Sequence, residues 1–215
     1  MKIITDCEQG SPEWFDLRLA SIGGSGISKA TSSGRGTAES KTRTGYLYKK
    51  ADEFMTRRFI ESYQNADMVL GTMSEPLSRN AYIWKTENNV DEVAIIKASD
   101  HKHVSPDGLV DAAGMIEIKN TNGPNFIEHI FKDKVPPEHN KQIQWGLHIA
   151  EREWCDFIHA CWIYEGVEII PRYEDIPIWT KRVYRDEKLI KELDEGAEKF
   201  INEMFMIISK IKEIK

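Results

Sequence analysis

The stretch Ser105-Pro106-Asp107-Gly108-Leu109-Val110, followed by Met115-Ile116-Glu117-Ile118-Lys119, decides how this chain is read. Pro-Asp-Gly is turn chemistry: proline presets its own φ, aspartate bonds back to nearby backbone, and glycine tolerates either sign of φ. The flanking apolar residues predict strands over Val104 to Val110 and Met115 to Lys119. Side chains alternate along a strand, so Glu117 and Lys119 share one face while Ile118 points to the core. The turn brings Asp107 toward that same face. Two carboxylates and a lysine so placed meet the needs of metal-assisted phosphodiester hydrolysis. Carboxylate oxygens hold a hard divalent cation, and a cationic group serves the attacking water and the developing charge. The same residues also fit a surface hairpin with a solvated aspartate and a cross-strand ion pair, so the rest of the chain has to decide.

The chain has 215 residues, which suits one domain able to bury roughly 70% of its unfolded surface without staples. Its coarse divisions are a helical N-terminal part over about 11–90, a catalytic core over about 91–180 and a terminal helix over about 186–214. Cys7, Cys155 and Cys161 are too few and too scattered for a disulfide framework or a Cys-x-x-Cys metal site, and a reducing, intracellular setting fits them. Met1-Lys2-Ile3-Ile4-Thr5-Asp6 lacks the apolar core of a signal peptide, and no stretch approaches the length of a membrane span. The net charge of −6 argues against nucleic acid only as an average. Lys29, Arg35, Lys41, Arg43, Lys49, Lys50, Arg57 and Arg58 are opposed locally by Glu39, Asp52 and Glu53 alone. That stretch can follow a phosphate backbone, with Arg35, Lys41, Arg43 and Lys49 as candidate DNA contacts, or be an ordinary solvated face.

Along the chain, Gly10-Ser11-Pro12-Glu13 reads as a helix start, with Ser11 as cap and Pro12 in the first helical position. Trp14, Leu17 and Leu19 face the core of that segment. Ser21-Ile22-Gly23-Gly24-Ser25-Gly26 reads as a flexible turn whose free amides suit an anion. Ser32 to Thr44 is polar and reads as a loop. Helices are predicted over Gly45 to Ser62, Met73 to Thr86, Asn125 to Phe131 and Glu138 to Ala150. Val93 to Ile96, Cys155 to Ile163 and Val167 to Ile170 read as strands. From Asp186 on, apolar residues recur at helical spacing, from Leu189 and Leu193 through Phe200 and Met204 to Ile208 and Ile211. The order predicts an α/β fold, a central mixed sheet flanked by helices, with the candidate acids on its central hairpin. His101, His103, His129, His139, His148 and His159 lack zinc-site spacing and read as solvated residues, His139 alone having a position from which it could touch DNA.

Several segments, taken in order, resemble one family. They are Trp14-x-x-x-Arg18-Leu19 with the turn ending at Ser25, Gly71-x-x-x-Glu75, Ser105-Pro106-Asp107-Gly108, Glu117-Ile118-Lys119 and Gln142-Ile143-Gln144. Arg185-Asp186-Glu187-Lys188 then opens the terminal helix. The chain thus resembles the lambda-exonuclease-like, YqaJ-type viral recombinase nucleases, which have the restriction-endonuclease-like PD-(D/E)xK core. The resemblance implies that Asp107, Glu117 and the carbonyl of Ile118 ligate Mg²⁺ (or Mn²⁺), with Glu75 as a further acidic residue. It implies that Lys119 orients or activates water, and that Gln144 helps position the water or the scissile phosphate. Arg18, Ser25 and Ser105 match a pocket for a 5′-terminal phosphate, a role that an arginine fork and two hydroxyls suit on chemical grounds. The chain departs from the family in having Gly23-Gly24 where bulkier residues are usual, and His139-Asn140-Lys141 in place of an aromatic-rich approach to Gln142.

The function so implied is a Mg²⁺-dependent 5′-to-3′ exonuclease on linear duplex DNA. It would leave 3′ overhangs for a single-strand annealing protein during phage-type recombination, in the cytoplasm of a bacterial host. A homotrimeric ring is implied by resemblance alone. An endonuclease with the same metal site is the second reading, and a non-catalytic DNA-binding module the third. Intact Asp107, Glu117 and Lys119 count against the last.

Overall fold

In the computed structural model, which describes residues 1–34, 38–60 and 64–214, the chain begins with strand β1 (Lys2–Ile4). Helices α1 (Pro12–Leu17), α2 (Gly24–Ala30), α3 (Lys41–Thr56) and α4 (Ala66–Thr86) follow. Next come β2 (Val90–Asp91), β3 (Ile95–Ser99), β4 (Lys102–Val104), β5 (Gly108–Val110) and β6 (Gly114–Asn120), then α5 (Gly123–Lys132) and α6 (Pro137–Ile149). Strands β7 (Trp154–Ala160), β8 (Trp162–Glu165), β9 (Glu168–Pro171) and β10 (Ile178–Tyr184) precede helix α7 (Glu187–Glu213).

The central sheet has five strands in the order β10-β7-β6-β5-β2. Only β6 and β7 pair in parallel, with α5 and α6 forming the crossover between them, so the sheet is mixed. Strand alternation divides its apolar residues between two faces. Val110, Ile116, Ile118 and Ile158 pack with Tyr82 of α4. Leu109, Met115, Cys155 and Phe157 pack with Ile27, Ile143, Trp145, Leu193 and Phe200 from α2, α6 and α7. Helices therefore cover both faces, as the α/β reading requires. A smaller antiparallel sheet, β1-β3-β4, lies beside this core, and Ile22 bridges in parallel to Lys102 at its edge.

Local chemistry sets the helix starts. Ser11 Oγ accepts from the Trp14 amide at 3.2 Å with Pro12 just inside α1, and Asp186 Oδ1 accepts from the Leu189 amide at 3.0 Å to open α7. Some expectations need correction. The stretch Ser21 to Gly26 is no flexible turn: Ile22 bonds to the backbone of His101 and His103, and Gly24 already belongs to α2. The strand expected over Val104 to Val110 is two strands, because the Ser105–Asp107 turn separates β4 from β5. Helix α3 starts at Lys41, inside the stretch taken as loop, since Ser40 Oγ caps the Arg43 amide at 3.2 Å. Helix α4 starts at Ala66 rather than Met73 and carries Pro76 in its interior. Strands β1, β2 and β10 had no counterpart in the sequence reading. Arg35 and Ser62 lie outside the described residues. Among the described residues no helix is long and apolar enough to cross a membrane.

Candidate active site

Glu117 and Lys119 lie on β6 on the face of Met115, opposite Ile116 and Ile118, as strand alternation dictates. Asp107 ends the turn into β5, whose Gly108 pairs with Ile116, and its Oδ2 accepts from the Ile118 amide at 2.6 Å. Gly108 suits this tight corner, because a Cβ there would meet Val90 Cγ1 at 2.3 Å. Glu117 is 2% exposed, and its Oε1 receives Lys119 Nζ at 2.5 Å. Gln142 Nε2 donates to the same oxygen.

Glu75 reaches the site from α4, held by an arginine that the sequence reading overlooked. Arg79 Nη2 donates to Glu75 Oε1 at 2.6 Å, its Nε to the Asp107 carbonyl at 2.8 Å, and its Nη1 pairs with Glu92 Oε2 at 2.9 Å. The i,i+4 spacing of Glu75 and Arg79 was the available signal. One guanidinium thus ties the helix to the turn that carries Asp107.

The electrostatics show crowding of like charge. Burial, then Glu117 and Glu75, push the Asp107 carboxyl well above the usual range, against Lys119 and the Ile118 amide. Burial also raises Glu75; Arg79 and Lys119 oppose that shift, while Glu117 and Glu92 add to it. Burial alone would lower the Lys119 ammonium, but Glu117 and Asp107 outweigh it and hold it above the ordinary lysine value. Excess negative charge among hard oxygen donors is what a divalent cation relieves, so the donor set fits one. Among the described residues no three carboxylate, histidine or cysteine side chains converge tightly enough to enclose an ion. Their oxygens turn instead to Lys119, Gln142, Arg79 and the Ile118 amide.

Gln144 does not join this cluster. Its Nε2 donates to the Tyr184 carbonyl at 2.9 Å and its Oε1 accepts from the Asp186 amide at 2.8 Å, which pins the start of α7. Residues two apart on a helix point to nearly opposite sides, so Gln142 is the glutamine that meets Glu117.

Arg18 and Ser105 meet at Trp14. The Arg18 guanidinium carbon lies 3.8 Å from the Trp14 ring centroid, and Trp14 Nε1 donates to Ser105 Oγ at 3.0 Å. Burial lowers the Arg18 pKa to about 10, with Tyr46 and Glu53 opposing the shift. Ser25 is exposed in the first turn of α2, and the structure brings it into contact with neither. A cleft of about 1230 Å³ runs from Trp14 and Arg18 past Phe59 to Glu75, Arg79 and Asp107. Arg18, Glu75 and Asp107 thus line one space.

Of the basic residues, Lys41 is exposed, and Lys49 Nζ stands 5.7 Å from the Phe59 ring centroid. Arg43 is a packing tie rather than an open contact: it bonds the Ala30 carbonyl at 3.0 Å and Glu203 of α7 at 2.6 Å. The histidines need correction too, since His103 and His159 are 2% and 1% exposed. His159 Nε2 lies 3.1 Å from His129 Nδ1, and His139 stacks on Phe157 rather than standing in solvent.

The YqaJ-like viral recombinase domain matches residues 13–153. An alkaline exonuclease from Laribacter hongkongensis, solved alone and in complex with dAMP, is 30% identical with a TM-score of 0.79, covering 94% of this chain and 97% of that one. A phage related exonuclease from Haemophilus somnus 129PT shares the fold at 14% identity and a TM-score of 0.71, covering 92% of this chain and 99% of that one. No curated protein matches the chain. The family match begins inside α1 and ends one residue before β7, enclosing Arg18, Glu75, Asp107, Glu117 and Lys119. Nuclease chemistry is what this likeness supports, and the chain belongs to the YqaJ-like viral recombinase domain family.

Proposed function

We propose that the protein is a divalent-metal-dependent 5′-to-3′ exonuclease that degrades one strand of linear duplex DNA from a 5′-phosphorylated end. The observation that carries this is the single cleft joining Arg18 to Asp107 and Glu75, with Glu117 and Lys119 on the same sheet face as Asp107. Asp107, Glu117 and the Ile118 carbonyl would hold the cation, with Glu75 nearby. Mg²⁺ or Mn²⁺, when bound, supplies a Lewis acid for the phosphate and lowers the pKa of a water. Lys119 is the donor that orients the attacking water and meets the charge growing on the phosphate. Gln142 and Lys119 share one Glu117 oxygen and so aim that carboxylate. Arg79 fixes Asp107 by its backbone and Glu75 by its side chain. At the other end of the cleft, Arg18 and Ser105 take the terminal phosphate, and Ser25 completes the pocket once DNA is bound.

On this reading Lys41 and Lys49 follow the DNA backbone, the product is a 3′ overhang for an annealing protein, and three copies form a ring around it. Light scattering behind size exclusion tests the ring. The activity is tested on three substrates: linear 5′-phosphorylated duplex, linear 5′-hydroxyl duplex and closed circular DNA, each with Mg²⁺ or with EDTA. Metal-dependent loss of linear DNA, fastest from phosphorylated ends, is expected. Cutting of the closed circle would mean an endonuclease. No loss of any substrate would mean a binding module. Arg18→Ala should narrow the preference for phosphorylated over hydroxyl ends.

A further inference from the structure

His103, on β4, lies directly behind Arg18. Its Nδ1 is 2.7 Å from Ser21 Oγ, and its Nε2 is 3.2 Å from Arg18 Nε. A guanidinium can only donate, so Nε2 must be the bare, accepting nitrogen. The ring proton therefore sits on Nδ1 and is donated to Ser21. Burial, with Arg18, Lys50 and Lys97 positive around it, keeps the ring in its neutral form. Trp145 Nε1 also donates to the His103 carbonyl at 3.0 Å, which fixes the strand that carries the ring.

The space for this ring comes from Gly23. A Cβ at that position would stand 2.5 Å from His103 Nε2 and 2.9 Å from Cε1, so any side chain there would push the ring off Arg18. Gly23 is thus the counterpart of the imidazole. With Nε taken by His103 and the guanidinium carbon over the Trp14 ring, the two terminal nitrogens of Arg18 are left as its donors into the cleft. They have no hydrogen-bond partner among the described residues.

We propose that His103 is a positioning residue for end recognition: as the Nδ1–H tautomer it accepts from Arg18 Nε and points the arginine end-on at the 5′-terminal phosphate. Gly23 and Ser21 are parts of the same device, one making room for the ring and the other selecting its tautomer. The inference rests on the reading of Arg18 as the phosphate-binding group.

Steady-state kinetics on linear duplexes with phosphorylated or hydroxyl 5′ ends test it, with Mg²⁺ present and thermal melts confirming the fold. His103→Asn reaches only the Nδ1 place and loses the acceptor for Arg18. It should raise KM for phosphorylated ends about tenfold, the low end for a bond to a charged group, with no matching change in kcat. His103→Gln, whose amide oxygen reaches the Nε2 place, should keep most of the preference. Should His103→Asn prove unfolded, Gly23→Ala crowds the ring without removing a polar group and should produce the same KM effect. Wild-type preference in the folded His103→Asn or Gly23→Ala variant overturns the proposal, as does an equal loss in His103→Asn and His103→Gln. Arg18→Ala, run alongside, separates the two levels. If it narrows the preference and His103→Asn does not, only the role of His103 fails. If Arg18→Ala keeps the preference, the phosphate pocket itself is wrong.

Discussion

Replacing Arg79 by methionine keeps the stem of the side chain and removes every hydrogen bond of its head. Three interactions go at once, and they are unequal. The pair with Glu92 is weak, because Glu92 is 68% exposed and water already screens it, so its loss costs about 0–1 kcal/mol. The bond to the Asp107 carbonyl comes from a charged donor that is 9% exposed, worth about 1.5–3 kcal/mol. Glu75 is 29% exposed, and losing Arg79 strands it beside Glu117 and Glu92, at about 1–2 kcal/mol after screening. The expected loss of stability is on the order of 3–5 kcal/mol, read as a lower urea midpoint at unchanged m. Activity should fall further than stability explains. Asp107 is held by its backbone on this guanidinium, and a displacement of about 1 Å at a reacting centre costs on the order of a hundredfold in kcat. The assay is turnover of a phosphorylated linear duplex at saturating Mg²⁺, at a temperature where the variant remains folded. A midpoint shift worth less than about 1 kcal/mol, with kcat within about threefold of wild type, would refute Arg79 as the tie between helix and turn.

Lys119→Ala should lower turnover by about 10²–10⁴-fold while end binding, followed by fluorescence anisotropy in EDTA, stays near wild type. The two glutamines should separate cleanly. Gln142→Leu lowers kcat with little change in melting temperature. Gln144→Leu leaves the Tyr184 carbonyl and Asp186 amide unpaired and costs about 2–4 kcal/mol of stability with kcat nearly unchanged; the opposite pattern would return the catalytic glutamine to Gln144. His159 supplies a pH test. Burial, then His129 and His139, lower its pKa to about 3, so the folded state resists a proton that the unfolded chain accepts near pH 6.5. Stability is therefore level above about pH 6.5 and falls as pH drops toward 3, by up to about 1.4 kcal/mol per pH unit from this one group. His159→Phe, which keeps the stack on Phe126, should make the fall of the urea midpoint between about pH 6.5 and 5 shallower; an unchanged slope would mean that the ring titrates freely.

What the chain discloses in advance follows from how local each signal is. Glu117 and Lys119 could be placed on one face because strand alternation needs only neighbouring residues, and Asp107 because Pro-Asp-Gly is a turn by composition. The Ser11-Pro12 and Asp186 helix starts were legible for the same reason. Strand β10 was not, since Trp179 and Val183 pack against the core only through pairing with β7, an earlier strand. Helix α4 was cut short at Met73 because Met68, Val69 and Met73 are exposed and show no buried stripe. The choice between Gln142 and Gln144 depends on the rotation of α6 about its axis, which the sheet and α7 set together.

The proposed end pocket shows where such reading runs out. Arg18 and Ser105 could be named, yet the groups that aim Arg18 lie at separated positions and look ordinary alone. A lone histidine without zinc-site spacing reads as solvated, and Gly23-Gly24 reads as a loose turn. Only the fold sets the His103 ring against Gly23 and makes the absence of a side chain there a fitted contact. Ser21 carries the lesson further. It is fully buried, and what gives it a role is the Nδ1–H that His103 points at it, which leaves Nε2 bare to accept from Arg18. A substitution at Ser21 should therefore act on the terminal phosphate through two intervening side chains, without touching DNA. Ser21→Ala should narrow the end preference by less than His103→Asn, and in an Arg18→Ala background it should change the preference no further. Additive effects of Ser21→Ala and Arg18→Ala on that ratio would break the chain at the imidazole, because coupled residues acting through one contact cannot each remove it.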